Sequence, residues 1–179
     1  MHLVDQPKGI AGVYPALNYA INMLGDQFTF FAYINDDDFW MADFRYLFKE
    51  MDADQGLHLC YGRTLFLSHG SSVSPGPFFP YPSSFSALLQ FGIPLFTQQS
   101  LIVRSSLILE FGCFDERYPI SADTRLWHQL LRSGLRAKGI NRFCSCYELL
   151  GNRLSLDAGI TEPSVVGSES FIGTTVVSR

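Results

Sequence analysis

Charge is scarce in this chain and unbiased. Lys, Arg, Asp and Glu together make only 17% of the residues, and the net charge is -4. The basic residues are scattered, the densest group being Arg132, Arg136, Lys138 and Arg142. A nucleic-acid binder concentrates a basic face, so no nucleic-acid partner is expected. Cysteine is also sparse. Cys60, Cys113, Cys144 and Cys146 lack framework spacing, and Cys144-x-Cys146 has no second pair to complete a metal site. They read as reduced structural thiols. No apolar run reaches the roughly 18–20 residues a membrane helix needs. The start, Met1-His2-Leu3-Val4-Asp5, lacks the charged and apolar regions of a secretory signal. A cytoplasmic protein is the consistent expectation.

What is present is apolar and aromatic: 47% of the residues are hydrophobic and 16 are Phe, enough for a packed core in one domain. Residues 14–25 predict a helix, with Pro15 at its start, Leu17, Ala20, Ile21 and Leu24 on one stripe, and Gly25 as its cap. Phe28 to Ile34 is an apolar run of strand length and predicts a central strand covered on both faces. A second helix begins near Ala42, with Phe44, Leu47, Phe48 and Met51 inward. Leu57–Tyr61 and Thr64–Leu67 predict a strand pair turning at Gly62-Arg63.

Residues 68–86, rich in Ser, Pro and Gly, predict a long loop. Its Phe78, Phe79, Tyr81 and Phe85 suit either packing on the domain or stacking on a sugar or lipid. A strand over Gln98–Arg104 leads to a short helix capped by Ser105 and ending at Gly112. Ser121 opens another helix that carries Leu126, Trp127, Leu130 and Leu131 and closes at Ser133-Gly134. Two short strands follow, at 137–140 and 143–149. Beyond Asp157 a weakly ordered tail is expected. Strands alternating with helices predict an α/β layered domain, in which ligands bind beyond the carboxyl ends of the strands.

At such an end stand Asn35, Asp36, Asp37 and Asp38. Adjacent carboxylates repel one another, and a divalent cation relieves that repulsion, hard oxygen ligands suiting Mg2+ or Mn2+. A solvated acidic turn capping the next helix explains the same spacing, so both readings stay open. Asp123, in the first turn of its helix, reads locally as a dipole-complementing residue, and His128 as structural. Asp115 and Glu116 read as loop carboxylates. Gln98, Gln99 and Ser100 offer the amide and hydroxyl groups by which sugars are recognised. A phosphohydrolase built on the acidic cluster is a weaker alternative, because no nucleophile motif accompanies it.

Taken in order, these segments resemble the inverting family-two glycosyltransferases of the GT-A fold. That family runs a Gly-x-Tyr-x-Ala-x-Asn helix, a Gly-Asp, an apolar strand, an Asp-rich turn, a Gln-Ser element, a Gly-x-Phe-Asp-Glu element and an Asp opening a Leu-rich helix. The matching residues are Gly12, Tyr14, Ala16, Asn18, Gly25-Asp26, Phe30 to Ile34, Asn35 to Asp38, Gln98 to Ser100, Gly112 to Glu116, and Ala122-Asp123 with Leu126-Trp127. The likeness covers about residues 8–156. It implies a GT-A-type, Rossmann-like mixed sheet flanked by helices, and transfer of a sugar from a nucleotide-diphosphate donor with inversion.

Carried over residue by residue, the resemblance makes Asp123 the catalytic base. Asp37 with Asp36 is the DxD-type element, with Asp37 and Asp38 on the metal and Asp36, Asp37 and Asn18 on the donor side. Gln99 and Ser100 would line the acceptor. The implied partners are a nucleotide-sugar donor, a divalent cation, and a saccharide or lipid-linked acceptor. Polysaccharide synthesis at the inner face of the plasma membrane, with peripheral association, is the analogy bacterial relatives offer.

The family more often has His where Gln98 stands and Glu where Ala122 stands. Its N-terminal strand, whose loop holds base and ribose, would precede residue 1. The expectation is therefore a partial, N-terminally truncated domain over 1–156 with a tail over 157–179. A non-catalytic remnant of that fold is the alternative.

Overall fold

The computed structural model describes residues 8–68, 72–91 and 93–149. They form a mixed α/β fold: one curled sheet with helices on both faces. The strands are β1 (Phe30–Phe31), β2 (Phe39–Trp40), β3 (Leu59–Ser68), β4 (Ser72–Pro75), β5 (Leu101–Arg104) and β6 (Ala137–Leu149). They lie in the order β1-β5-β3-β6-β2, with β4 also paired to β3. Only the β3–β6 pairing is parallel; the others are antiparallel.

The helices are α1 (Val13–Leu24), α2 (Arg45–Ala53), α3 (Phe85–Gln90), α4 (Ser105–Glu110) and α5 (Ala122–Arg132). Period-two alternation splits the sheet residues between two cores. Leu59, Tyr61, Leu101 and Val103 join Leu17, Ile21, Phe85, Ile108, Leu126 and Leu130 from α1, α3, α4 and α5 on one face. Cys60, Ile102 and Cys144 join Phe44, Leu47 and Met51 on the other, where α2 packs. The helices around 14–25, 42–51 and 121–132 thus fall where their apolar stripes predict. No helix of the described residues is long and apolar enough to cross a membrane.

Several expectations are corrected. The run Phe28–Ile34 yields only the two-residue β1, which stands at the end of the strand order rather than in its centre. Its apolar character comes from helices covering both faces: Phe31 and Tyr33 face one core, and Phe30 and Ala32 face the other. α1 closes at Leu24, and Gly25 opens a 3-10 turn (Gly25–Gln27) instead of standing alone as a cap.

Gly62-Arg63 is not a turn, because β3 runs straight through it. A Cβ at Gly62 would strike the Cys144 Sγ, so this glycine serves a close approach between strands. β6 is likewise one strand and not two. Between the pairs Tyr61↔Gly139 and Arg63↔Phe143 it bulges past its partner, which is where the sequence suggests a break.

The predicted loop 68–86 contains β4, a 3-10 turn (Pro82–Ser84) and the start of α3. Within it Phe85 is core, Phe78 packs against the core, and Tyr81 is exposed. Gln98–Ser100 is a 3-10 turn that precedes β5. Ser105 begins α4 rather than capping it, and its buried backbone N–H donates to the Thr29 carbonyl at 3.1 Å. Ser121 holds the cap position of α5 without a side-chain cap bond. All four cysteines carry free thiols, and burial pushes Cys60 and Cys144 up to about 12. The tail expected over 157–179 lies outside the described residues.

Candidate active site

The acidic turn leaves the end of the Phe28–Ile34 segment and closes on itself, Asp38 N–H donating to the Asn35 carbonyl at 3.2 Å. β2 then carries the chain onto β6, pairing Phe39 with Cys146. The three aspartates have different surroundings. Asp38 is buried. Its Oδ2 accepts the Gln99 Nε2–H at 2.8 Å and its Oδ1 accepts the Glu148 backbone N–H at 3.1 Å. Trp40 adds a bond from Nε1 to the Gln99 carbonyl at 3.0 Å. Asp38 therefore braces the turn between the 98–100 segment and β6. Both of its oxygens thus serve the fold, where a place on the metal is expected. Asp36 is exposed and Asp37 half-buried.

Among the described residues, no three His, Cys, Asp or Glu side chains gather into a metal cluster. Magnesium shared with substrate phosphates requires only one or two carboxylates, and the hard oxygens of Asp36 and Asp37 fit that chemistry.

Asp123 sits in the first turn of α5, at the rim of an aromatic box. Phe114 is the hub of that box. Its ring stacks on Tyr14 at 5.3 Å and meets Tyr33 edge-on at 5.7 Å. Phe31 lies 6.1 Å away and Trp127 5.9 Å. Asp123 Oδ2 accepts the Tyr33 hydroxyl at 3.5 Å, and Oδ1 accepts the Thr124 backbone N–H at 2.6 Å.

Burial of this carboxyl raises its pKa above the usual carboxylate range, against the lowering effect of bonds from Thr124, Tyr14 and Tyr33. The tyrosines respond in turn. Burial, and then the charge of Asp123, push both Tyr14 and Tyr33 well above the ordinary phenol range. A carboxylate kept basic by desolvation is suited to accept a proton near neutral pH.

The helix motif and the Gly-x-Phe-Asp-Glu element meet through Asn18. Its Nδ2 donates to the Phe114 carbonyl and to Glu116 Oε1, both at 2.8 Å, and its Oδ1 accepts the Phe114 N–H at 2.9 Å. Asn18 thus acts as a structural clip, where a place on the donor side is expected.

Gln99 and Ser100 are also taken inward, at 2% and 0% exposure. Ser100 Oγ lies 2.6 Å from both Thr64 Oγ1 and Ser145 Oγ, in a buried hydroxyl cluster. As folded, neither side chain lines an open acceptor surface. Sequence reasoning missed Tyr33 and Tyr14. The period-two register that puts Tyr33 beside Phe31 was available; its contact 90 residues away was not.

A hollow of about 540 Å³ borders Asn18, Phe114 and Arg125, and one of about 630 Å³ lies between 41–43 and 140–143. Neither includes Asp36, Asp37 or Asp123. The site is defined by its carboxylates and their hydrogen bonds rather than by these hollows. Compared with known proteins, the chain matches no family model and no curated protein.

Proposed function

We propose that this chain is a glycosyltransferase, or the larger part of one. Of the GT-A type, it would move a sugar from a nucleoside-diphosphate donor to an acceptor hydroxyl with inversion. The observation that carries the reading is the Tyr33–Asp123 hydrogen bond. Tyr33 lies two residues before Asn35, an advance of roughly 7 Å along an extended chain. The candidate base therefore meets the segment that leads into the acidic turn.

Asp36 and Asp37 would hold a divalent cation, which when bound neutralises charge on the departing diphosphate. Asp123 takes the proton of the acceptor hydroxyl as that oxygen bonds to the anomeric carbon. The bond from that carbon to the diphosphate oxygen breaks, and its electron pair leaves with the nucleoside diphosphate. One displacement inverts the centre. Desolvation of Asp123 strengthens it as a base, and the aromatic box keeps water from its inner side. The acceptor class is a saccharide or a lipid-linked saccharide, the latter met at the cytoplasmic face of a membrane.

The test is a panel of nucleotide sugars with Mn2+ or Mg2+, followed by release of nucleoside diphosphate and by product mass. Transfer that disappears in Asp37→Ala supports the reading. A second reading, a copy of the fold that binds no donor, is favoured by the internal use of Asn18, Gln99 and Ser100. No binding of any donor at saturating metal would establish it over the first.

A further inference from the structure

Two buried tyrosines lie against the Asp123 carboxylate or the segment that delivers it. Tyr33 is 5% exposed and Tyr14 6%. Each ring is fixed by contact with Phe114. Their hydroxyls hold different hydrogen bonds, although both lower the Asp123 pKa. Tyr33 donates to Asp123 Oδ2 at 3.5 Å. Tyr14 donates to the Ile120 carbonyl at 3.2 Å, tying α1 to the approach to α5.

We propose that Tyr33 is a positioning residue for Asp123, orienting its carboxylate from the segment that leads into the acidic turn, while Tyr14 anchors the segment that delivers Asp123. The proposal rests on the transferase reading for its purpose and on the hydrogen bonds for its geometry. A buried tyrosine can satisfy its hydroxyl on a backbone carbonyl, as Tyr14 does on Ile120 while also acting on Asp123. Tyr33 instead meets an acid that burial already makes costly to ionise. That expense is the mark of a constrained functional group rather than of packing alone.

The consequence is tuning from both sides. Thr124 bonds Oδ1 from within α5, at 2.6 Å from its N–H. Tyr33 bonds Oδ2 from the segment that follows β1. The groups that oppose the burial of Asp123 are all neutral: Thr124, Tyr14 and Tyr33. The nearby charges pair with one another, Asp115 with Arg117 at 2.8 Å and with Arg125 at 3.5 Å. Removing the Tyr33 hydroxyl therefore leaves the charge balance unchanged and withdraws only a donor from the ionised form. The Asp123 titration should move upward, and with it the acid limb of any rate that depends on Asp123 as base.

Two measurements on the full chain separate this proposal from the reading it serves. The first follows the Asp123 carboxyl carbon by NMR across pH in the parent, Tyr33→Phe and Tyr14→Phe, and needs no substrate. The second records kcat/KM against pH for nucleotide-sugar transfer in the same proteins. The expected result is an upward shift of the Asp123 titration in Tyr33→Phe and in Tyr14→Phe, and a matching displacement of the acid limb. A shifted titration with no transfer from any donor supports the positioning and removes the transferase. An unmoved titration in Tyr33→Phe, with transfer and its pH profile intact, overturns the positioning and spares the transferase. Phe keeps the ring and its packing, and Tyr14→Phe provides a second reading if Tyr33→Phe is poorly folded.

Discussion

Asn18 treats Phe114 as a neighbouring strand would: its amide carbonyl accepts the Phe114 N–H at 2.9 Å and its amide N–H returns a bond to the Phe114 carbonyl at 2.8 Å. Phe114 is 2% exposed, so neither backbone group has water as a substitute. The clip sets the ring that Tyr14, Phe31, Tyr33 and Trp127 surround. Through that ring it sets the wall behind Asp123. Segments far apart in the chain are drawn to one place by a single side chain.

Asn18→Ala should therefore cost more than the loss of one surface hydrogen bond. It strands a buried donor and a buried acceptor, each worth about 1–3 kcal/mol when unpaired. A loss of about 2–3 kcal/mol is expected after partial relaxation. Urea denaturation of the two proteins measures it directly. A midpoint within error of the parent would mean that Phe114 finds other partners and that the clip is dispensable.

Asp123→Asn should abolish transfer and yet stabilise the protein near neutral pH. Burial raises the Asp123 pKa in the folded state, so the folded protein binds this proton more tightly than the unfolded chain does. Stability then falls as pH rises from below the unfolded carboxylate range through the raised folded value, and the penalty persists above it. Asn does not ionise and escapes that penalty. The melting temperature of the variant should exceed the parent's at pH 7, and the gap should narrow toward pH 4. A gap that widens on acidification would show that the hydrogen bonds of the ionised carboxylate outweigh its desolvation.

Gly62→Ala tests the reading of β3 as one strand. The added Cβ meets the Cys144 Sγ, with the Arg142 carbonyl oxygen at 3.0 Å. Overpacking of this kind typically costs 1–3 kcal/mol. Combining it with Cys144→Ala removes the sulfur and should restore part of the loss, giving a favourable coupling in a double-mutant cycle. Had Gly62 been in a turn, the two substitutions would act independently.

That glycine also shows where sequence reading stops. A glycine that permits a turn and a glycine that admits a neighbouring sulfur are the same letter, and the bulge of β6 reads in sequence as a break between two strands. The helices were legible because one-sided burial writes a 3.6-residue stripe, as in Leu17–Ile21 or Leu126–Leu130. The run Phe28–Ile34 reported cover on two faces correctly. It did not report which edges are paired, because hydrogen-bond partners are backbone groups without side-chain signature.

The candidate site divides in the same way. Chain order brought Asp123 and the acidic turn to notice, but the roles of Asn18, Gln99 and Ser100 depend on burial. Polar residues turned inward look no different in sequence from polar residues awaiting a sugar.

The acidic turn supplies the most discriminating comparison. Asp37 and Asp38 are adjacent and chemically identical, but Asp38 is buried and holds Gln99 and the Glu148 backbone, while Asp37 is half-buried. Asp38→Ala should destabilise the protein by about 2–4 kcal/mol, because the Gln99 amide and a backbone N–H lose a charged acceptor in a buried setting. Asp37→Ala should remove the metal-dependent binding of a nucleoside diphosphate. Calorimetry with Mn2+ and a nucleoside diphosphate, alongside thermal melts, reads both effects. Nucleotide binding intact in Asp37→Ala would reduce the whole turn to scaffolding and place the cation elsewhere.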